Sequence, residues 1–192
     1  MNPTDILKQY LKENASFSPE AMETIGTFFQ SRTLSKEEPL FTRGSRFPHI
    51  VFVAEGILRS FIYDDRGEEI VKTFIAENEF FAELDSFEKG WPCAFNVSAI
   101  TPCELLTLSR SAAQTLTEKV PGWEFAMKNE AMKAMNAMIR KQEFLNTGEA
   151  TDKYRHFVNH FPGLAREIPL KHIAAYLQIT QSSLSRIRKQ GW

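Results

Sequence analysis

The sequence predicts an α+β chain in three parts: an N-terminal all-β unit preceded by short helices, one long helix, and a C-terminal helix-turn-helix. Three observations carry this. Between Arg32 and Leu108 the apolar residues come in short β-branched or aromatic runs, with turn signals at about the 8–12-residue spacing of a sandwich or barrel. From about Trp123 to Leu145 the period becomes helical, with apolar residues on two faces. From Ile168 to Lys189 the pattern is helix, tight turn, helix.

Taken in order, Thr4 or Asp5 begins a short amphipathic helix with Ile6, Leu7, Tyr10 and Leu11 on one side. Ser18 caps a second, with Pro19 in its first turn and Ile25, Phe28 and Phe29 facing inward. Strands are expected at Leu34, Leu40–Phe41, Ile50–Ala54, Ile57–Tyr63, Ile70–Phe74, Phe95–Ile100 and Leu105–Leu108. Asp64-Asp65-Arg66-Gly67 is the clearest hairpin turn, where Gly67 supplies a positive φ, and Gly44 and Gly56 end strands in a similar way.

Ser109 caps a helix that runs to Lys119, and Pro121-Gly122 breaks it. In the long helix that follows, Phe125, Met132, Met135 and Ile139 form one apolar line, while Met127, Ala131, Ala134, Met138 and Leu145 form another. A helix apolar on two sides needs two partners. One stripe is expected to cover the β unit and the other to pair with its counterpart in a second subunit, which makes the protein a homodimer. Asn146–Glu149 is a hinge and Thr151–Phe161 a further helix. The expected domains are thus 1–120, the β unit with its N-terminal helices; 121–147, the dimerisation helix and hinge; and 148–192, the helix-turn-helix.

In the last part Pro169 suits a first helical position, and Ile173, Ala174 and Leu177 make one apolar stripe. Thr180 caps the second helix, which is buried through Leu184 and Ile187. Ala174 is small where the two helices must cross, and Ile179 plugs the turn. The face left outward carries Gln181, Ser182, Ser185, Arg186 and Lys189, side-chain types that read base edges and phosphates.

Composition supports the same division. The 192 residues are 43% hydrophobic with 16 Phe, enough for a packed core. Met1–Gly148 holds 16 Lys and Arg against 21 Asp and Glu, whereas Glu149–Trp192 holds 7 against 3, so a body of net −5 carries a module of net +4. That layout suits nucleic acid meeting only the C-terminal part. No apolar signal core or membrane-spanning run is present, which points to the cytoplasm and to no membrane partner. Cys93 and Cys103 are too few for a disulfide scaffold and lack the clustered spacing of a zinc or iron–sulfur site. His49 is the sole histidine of the first 148 residues, which argues against a metal enzyme built on the β unit, and no metal or catalytic residues are expected.

The order of elements resembles the Crp/Fnr family of bacterial transcription regulators. Ile50-Val-Phe-Val-Ala-Glu-Gly-Ile-Leu-Arg59 through Phe81-Ala-Glu-Leu-Asp-Ser-Phe87 is similar to the family's cyclic-nucleotide-binding β-roll, a double-stranded β-helix, and Ile168–Lys189 to its DNA-binding end. The resemblance implies a dimeric regulator on a pseudo-palindromic operator in double-stranded DNA, with RNA polymerase as a further partner. Carried over by position, Gln181, Ser182 and Arg186 face base edges, and Thr180, Ser183 and Lys189 face phosphates. The alternative is a ligand-sensing module that regulates a partner protein without specific DNA binding.

The family's phosphate cassette is Gly-Glu-Leu followed by Arg-Ser/Thr-Ala, with base-contacting hydroxyls from the long helix. Here those positions read Ala82-Glu83-Leu84, Cys93-Ala94-Phe95, and about Met138 and Ile139. The arginine and hydroxyls are replaced by groups that cannot neutralise a buried phosphate, at a cost on the order of 2–5 kcal/mol. The expectation is a degenerate pocket that does not respond to cyclic AMP and holds no cofactor, filled by Phe81, Phe87 and Phe95 or open to an uncharged small molecule. The family's wing also looks absent, since only Pro162–Ile168 precedes the two helices and Gly191-Trp192 follows. Gln178 stands where the turn usually has Gly.

Overall fold

The structure, a computed structural model, describes residues 1–189, apart from the side chains of Phe144, Thr147 and His160. Its elements are α1 (Pro3–Asn14), α2 (Pro19–Phe28), β1 (Gln30–Leu34), β2 (Pro39–Phe41), β3 (His49–Glu55), β4 (Leu58–Tyr63), β5 (Glu69–Ile75), β6 (Glu79–Ala82), α3 (Leu84–Lys89), β7 (Asn96–Ala99), β8 (Cys103–Ser109), α4 (Arg110–Lys119), α5 (Trp123–Thr147), α6 (Ala150–His160), α7 (Leu164–Glu167), α8 (Leu170–Leu177) and α9 (Gln181–Lys189). The class is α+β, as expected. The chain divides into two compact units, one of residues 1–60 with 74–132, the other of residues 61–73 with 133 onward.

The strands form two four-stranded sheets, ordered β1-β8-β3-β6 and β2-β7-β4-β5. In the first sheet β3 pairs antiparallel with β8, Ile50 opposite Leu108 and Phe52 opposite Leu106. Strand β6, absent from the sequence reading, pairs on the other side, with Val51 opposite Phe81. It is four residues long and its signal is nonlocal. One core of the first unit gathers Leu34, Leu40, Phe41, Phe47, Val51, Val53, Val97 and Leu105, with Phe81 and Phe95 against them. Another gathers Leu7, Leu11, Ile25, Phe52, Leu106, Leu108, Leu116 and Trp123.

Local chemistry sets the helix ends. Ser18 Oγ accepts from Ala21 N and Ser109 Oγ from Ala112 N, each at 3.2 Å. Helix α1 starts one residue earlier than Thr4, because Asn2 Oδ1 accepts from Thr4 N at 3.1 Å and Pro3 needs no hydrogen-bond partner. In the turn between β4 and β5, Gly67 takes φ +80° and its N–H donates to Asp64 O at 3.0 Å. The Asp64 carboxylate accepts from the amides of Arg66 and Glu68.

Helix α5 corrects one expectation. Trp123 and Ala126 are buried in the first unit and Leu145 in the second, but residues 131–140 are all exposed. Ala131, Ala134 and Met138 of one apolar line, and Met132, Met135 and Ile139 of the other, therefore all face solvent in this chain, so over this stretch neither line covers the β unit. A 25-residue helix is about 37 Å long, more than the chain's own cores cover. Among the described residues no helix is long and apolar enough to cross a membrane.

Candidate nucleic-acid interface and effector cassette

Helices α6, α8 and α9 share a small core made by Tyr154, Phe157, Ile173, Ala174, Tyr176, Leu177, Leu184 and Ile187, all buried. Burying Leu184 completely contributes roughly 1.5–3 kcal/mol to holding α9 on α8. Pro169 sits one position before the expected one, as the N-cap of α8 with ψ 139°, and its carbonyl accepts from the amides of His172 and Ile173. The turn is closed by Gln178 in the left-handed conformation, φ +56° and ψ +43°, and by Ile179 N donating to Ala174 O at 3.1 Å. Thr180 then opens α9. Its Oγ1 accepts from Ser183 N at 3.1 Å and donates to Ser183 Oγ at 2.8 Å.

With Leu184 and Ile187 turned inward, Gln181, Ser182, Arg186, Arg188 and Lys189 are exposed and Ser183 and Ser185 half-buried. Arg186, Arg188 and Lys189 occupy the last turn, where cations also suit the helix dipole. The structure thus brings Gln181, Ser182 and Arg186 onto one open helix, with Thr180 and Ser183 hydrogen-bonded to each other at its start. Before these helices Pro162–Ile168 contains the single turn of α7, and no strand lies among described residues 148–189. Gly191 and Trp192 lie outside the described residues.

The cassette positions lie around α3. Glu83 caps it, its Oε2 accepting from Ser86 N at 2.6 Å, and the side chain is 5% exposed. Ala82 is half-buried, whereas Leu84 is 59% exposed. Ser86 Oγ in turn accepts from Phe47 N at 2.7 Å, and Cys93 is tied to the same loop through its N–H to Ser45 O and its carbonyl to Gly44 N. The Cys93 side chain is buried and Ala94 exposed. Phe41 stacks on Phe47 at 4.9 Å and contacts Phe81 at 6.3 Å and Phe95 at 5.9 Å between ring centroids. Phe87 does not join them. It packs instead against the other core of this unit. Met138 and Ile139 sit on the exposed stretch of α5, 62% and 51% exposed, and Phe125, Met132 and Met135 are 70%, 53% and 49% exposed.

Burial, and then the charge of Arg32, push the His49 imidazole, which packs on Phe47, below its usual range. No group of three or more His, Cys, Asp or Glu side chains among the described residues could hold a metal ion.

The sequence reading missed the polar residues of the second unit. His172, on the otherwise apolar inner face of α8, is 2% exposed and its Nδ1 lies 2.9 Å from Glu69 Oε1 of β5. Lys141 of α5 donates to the carbonyls of Val71 and Lys72 and lies 3.7 Å from the centre of the Tyr176 ring. A buried-face histidine was the one visible hint, and its partner stands 103 residues away.

Comparison with known proteins matches residues 31–119 to the cyclic nucleotide-binding domain. The chain is 20% identical over 164 residues to the cAMP-activated global transcriptional regulator CRP of Salmonella typhimurium, covering 78% of this chain and 76% of that one. It is 28% identical over 104 residues to the cyclic AMP receptor protein of Thermus thermophilus, covering 54% and 48%. Among solved structures, the c-di-GMP responsive global regulator CLP of Xanthomonas campestris has a TM-score of 0.74 at 16% identity, covering 90% of this chain and 91% of that one. FixK2 of Bradyrhizobium japonicum has a TM-score of 0.73 at 15% identity, covering 84% and 83%. These last two share the fold. With a cyclic nucleotide-binding domain at residues 31–119 and a helix-turn-helix behind it, the chain is similar over most of its length to regulators of the cyclic AMP receptor protein type.

Proposed function

We propose that the protein is a homodimeric, sequence-specific DNA-binding regulator whose sensor domain is degenerate and does not respond to cyclic AMP. One observation carries the DNA-binding part: α9 buries Leu184 and Ile187 and leaves Gln181, Ser182, Arg186 and Lys189 open to a groove. Arg186 reads guanine through its O6 and N7 acceptors, Gln181 and Ser182 read neighbouring bases, and Thr180, Ser183 and Lys189 hold phosphates. The exposed line Phe125, Met132, Met135 and Ile139 supports pairing of α5 with its copy across a two-fold axis. Two reading helices so related fit half-sites about 10 bp apart, centre to centre.

The cassette supports the negative part. Glu83 is a buried carboxylate already used as a helix cap, and the other cassette positions are Ala82, Leu84, Cys93 and Ala94. A cyclic phosphate there finds neither guanidinium nor hydroxyl at Cys93 and Ala94, and burying it unpaired is costly. The activation by cyclic AMP that names the Salmonella typhimurium relative therefore does not transfer to this chain. Its role needs no catalytic residue. The body at 1–120 senses or supports, the helix at 121–147 joins two chains, and the module at 148–192 binds DNA and brings RNA polymerase within reach in the cytoplasm.

The test is selection of bound duplexes from random DNA, with sedimentation of the free protein alongside. A pseudo-palindromic site and a dimer are expected. A monomer, or a protein with no preference among duplexes, contradicts the reading.

A further inference from the structure

We propose that Lys141, Tyr176, His172 and Glu69 form a junction that fixes the angle of the helix-turn-helix on the long helix and so sets the half-site spacing that the dimer accepts. The proposal rests on the DNA-binding reading above and names the positioning residues of that same site.

Three elements of the second unit meet here. Strand β5 is the edge strand of its sheet, so the carbonyls on its outer side have no neighbouring strand to pair with. At this edge strand Lys141 of α5 donates to the carbonyls of two consecutive residues, Val71 and Lys72. The same ammonium lies 3.7 Å from the Tyr176 ring centre, where the ring's negative face attracts it. Tyr176 belongs to α8, is 4% exposed, and is braced from behind by Phe157 at 5.6 Å. One α8 turn earlier His172 donates through Nδ1 to Glu69 at the start of β5. The edge strand is thus bound by one polar contact to α5 and by another to α8, and the Lys141 cation joins α5 to α8 directly.

This arrangement is directional in a way that apolar packing is not. The ammonium must reach two carbonyls and the ring face together, and the imidazole must meet the carboxylate in plane, so a rotation of α8 about α5 breaks both. Because α9 is held on α8 through Leu184 and Ile187, the angle of α8 is the angle of the reading helix. None of the four residues belongs to the reading face. The junction therefore acts on where the two reading helices stand and leaves alone which bases each one prefers. Burial, with the charge of Lys72 beside it, lowers Lys141 to about 7, the mark of an ammonium taken out of water to make these contacts.

The full-length chain and its Lys141→Met, Lys141→Arg and Glu69→Gln variants are tested on three kinds of duplex: the selected operator, one isolated half-site, and operators whose half-sites are moved closer or apart by one or two base pairs. Lys141→Met is expected to bind the half-site within about twofold of the wild type, to lose about tenfold on the selected operator, and to flatten the preference among spacings, because the second half-site is no longer presented in register. Glu69→Gln, which keeps the shape of the side chain, is expected to shift in the same direction by less, and Lys141→Arg to restore most of the spacing preference. Retention of the wild-type spacing profile by folded Lys141→Met and Glu69→Gln overturns the junction. So does parallel loss on half-site and operator, which marks a merely structural role. A wild-type chain that binds no duplex overturns the DNA-binding reading itself, and the junction's role with it.

Discussion

A β-carbon placed on Gly56 comes 2.3 Å from the carbonyl oxygen of Pro102 and 2.8 Å from Cys103 Sγ. The residue also has φ +92°, its N–H donates to Glu77 Oε1, and the next amide donates to Thr101 Oγ1. The obstruction is backbone, so it cannot swing aside. Gly56→Ala is expected to cost about 2–4 kcal/mol, combining left-handed strain with overpacking. At Gly44, where a β-carbon meets nothing within 4 Å, the same change costs only the strain, about 1–2 kcal/mol. Urea midpoints of the two variants check the difference, and equal midpoints refute the clash.

Gln178 carries the opposite opportunity. Its left-handed backbone is what the turn between α8 and α9 requires, and a side chain there is strained. Gln178→Gly is expected to raise stability by about 0.5–1 kcal/mol, the relief exceeding the entropy that glycine adds to the unfolded chain. A lower melting temperature for the variant contradicts this.

On DNA, Arg186→Ala is expected to cost about 1–3 kcal/mol and to relax the preference at one symmetric base position. Lys189→Ala instead weakens all sequences alike and lowers the salt slope by about one. Competition binding at several salt concentrations separates them. An unchanged operator affinity for Arg186→Ala moves the reading face elsewhere.

Calorimetry with cyclic AMP and cyclic GMP is expected to give no dissociation constant as tight as about 1 μM, since Cys93 and Ala94 offer a phosphate neither charge nor hydroxyl. A saturable isotherm at that strength reverses the assignment of the cassette.

Lys141 predicts a pH dependence of stability. Its value falls from 10.5 to about 7 in the folded chain, so between those two values the unfolded chain binds more protons and stability rises with pH. A single group gives a slope of at most ~1.4 kcal/mol per pH unit, reduced here by the residual solvent contact of the side chain. The check is the slope of unfolding free energy from pH 7.5 to 10, which is expected to be shallower in Lys141→Met. Equal slopes reject it.

What the sequence made legible was local. Ser18, Ser109 and Thr180 mark their helix starts because a cap is a contact between residues three apart. The hairpin at Asp64–Gly67 is read the same way. Strand β6 was missed because its evidence is its pairing with β3, and Phe87 was assigned to the wrong core because the sequence does not say which side of a six-residue helix faces which sheet. The junction at Lys141 was invisible for a like reason: its contacts span 70 and 103 residues.

The ten consecutive exposed residues of α5 have a consequence for how the chain folds. Residues 131–140 are all exposed, and a helical stretch of that length is marginal in water by itself. In the dimer proposed above the copy of this helix covers the stretch, so assembly and folding become one equilibrium. The melting temperature then rises with protein concentration, and dilution alone unravels the middle of the helix.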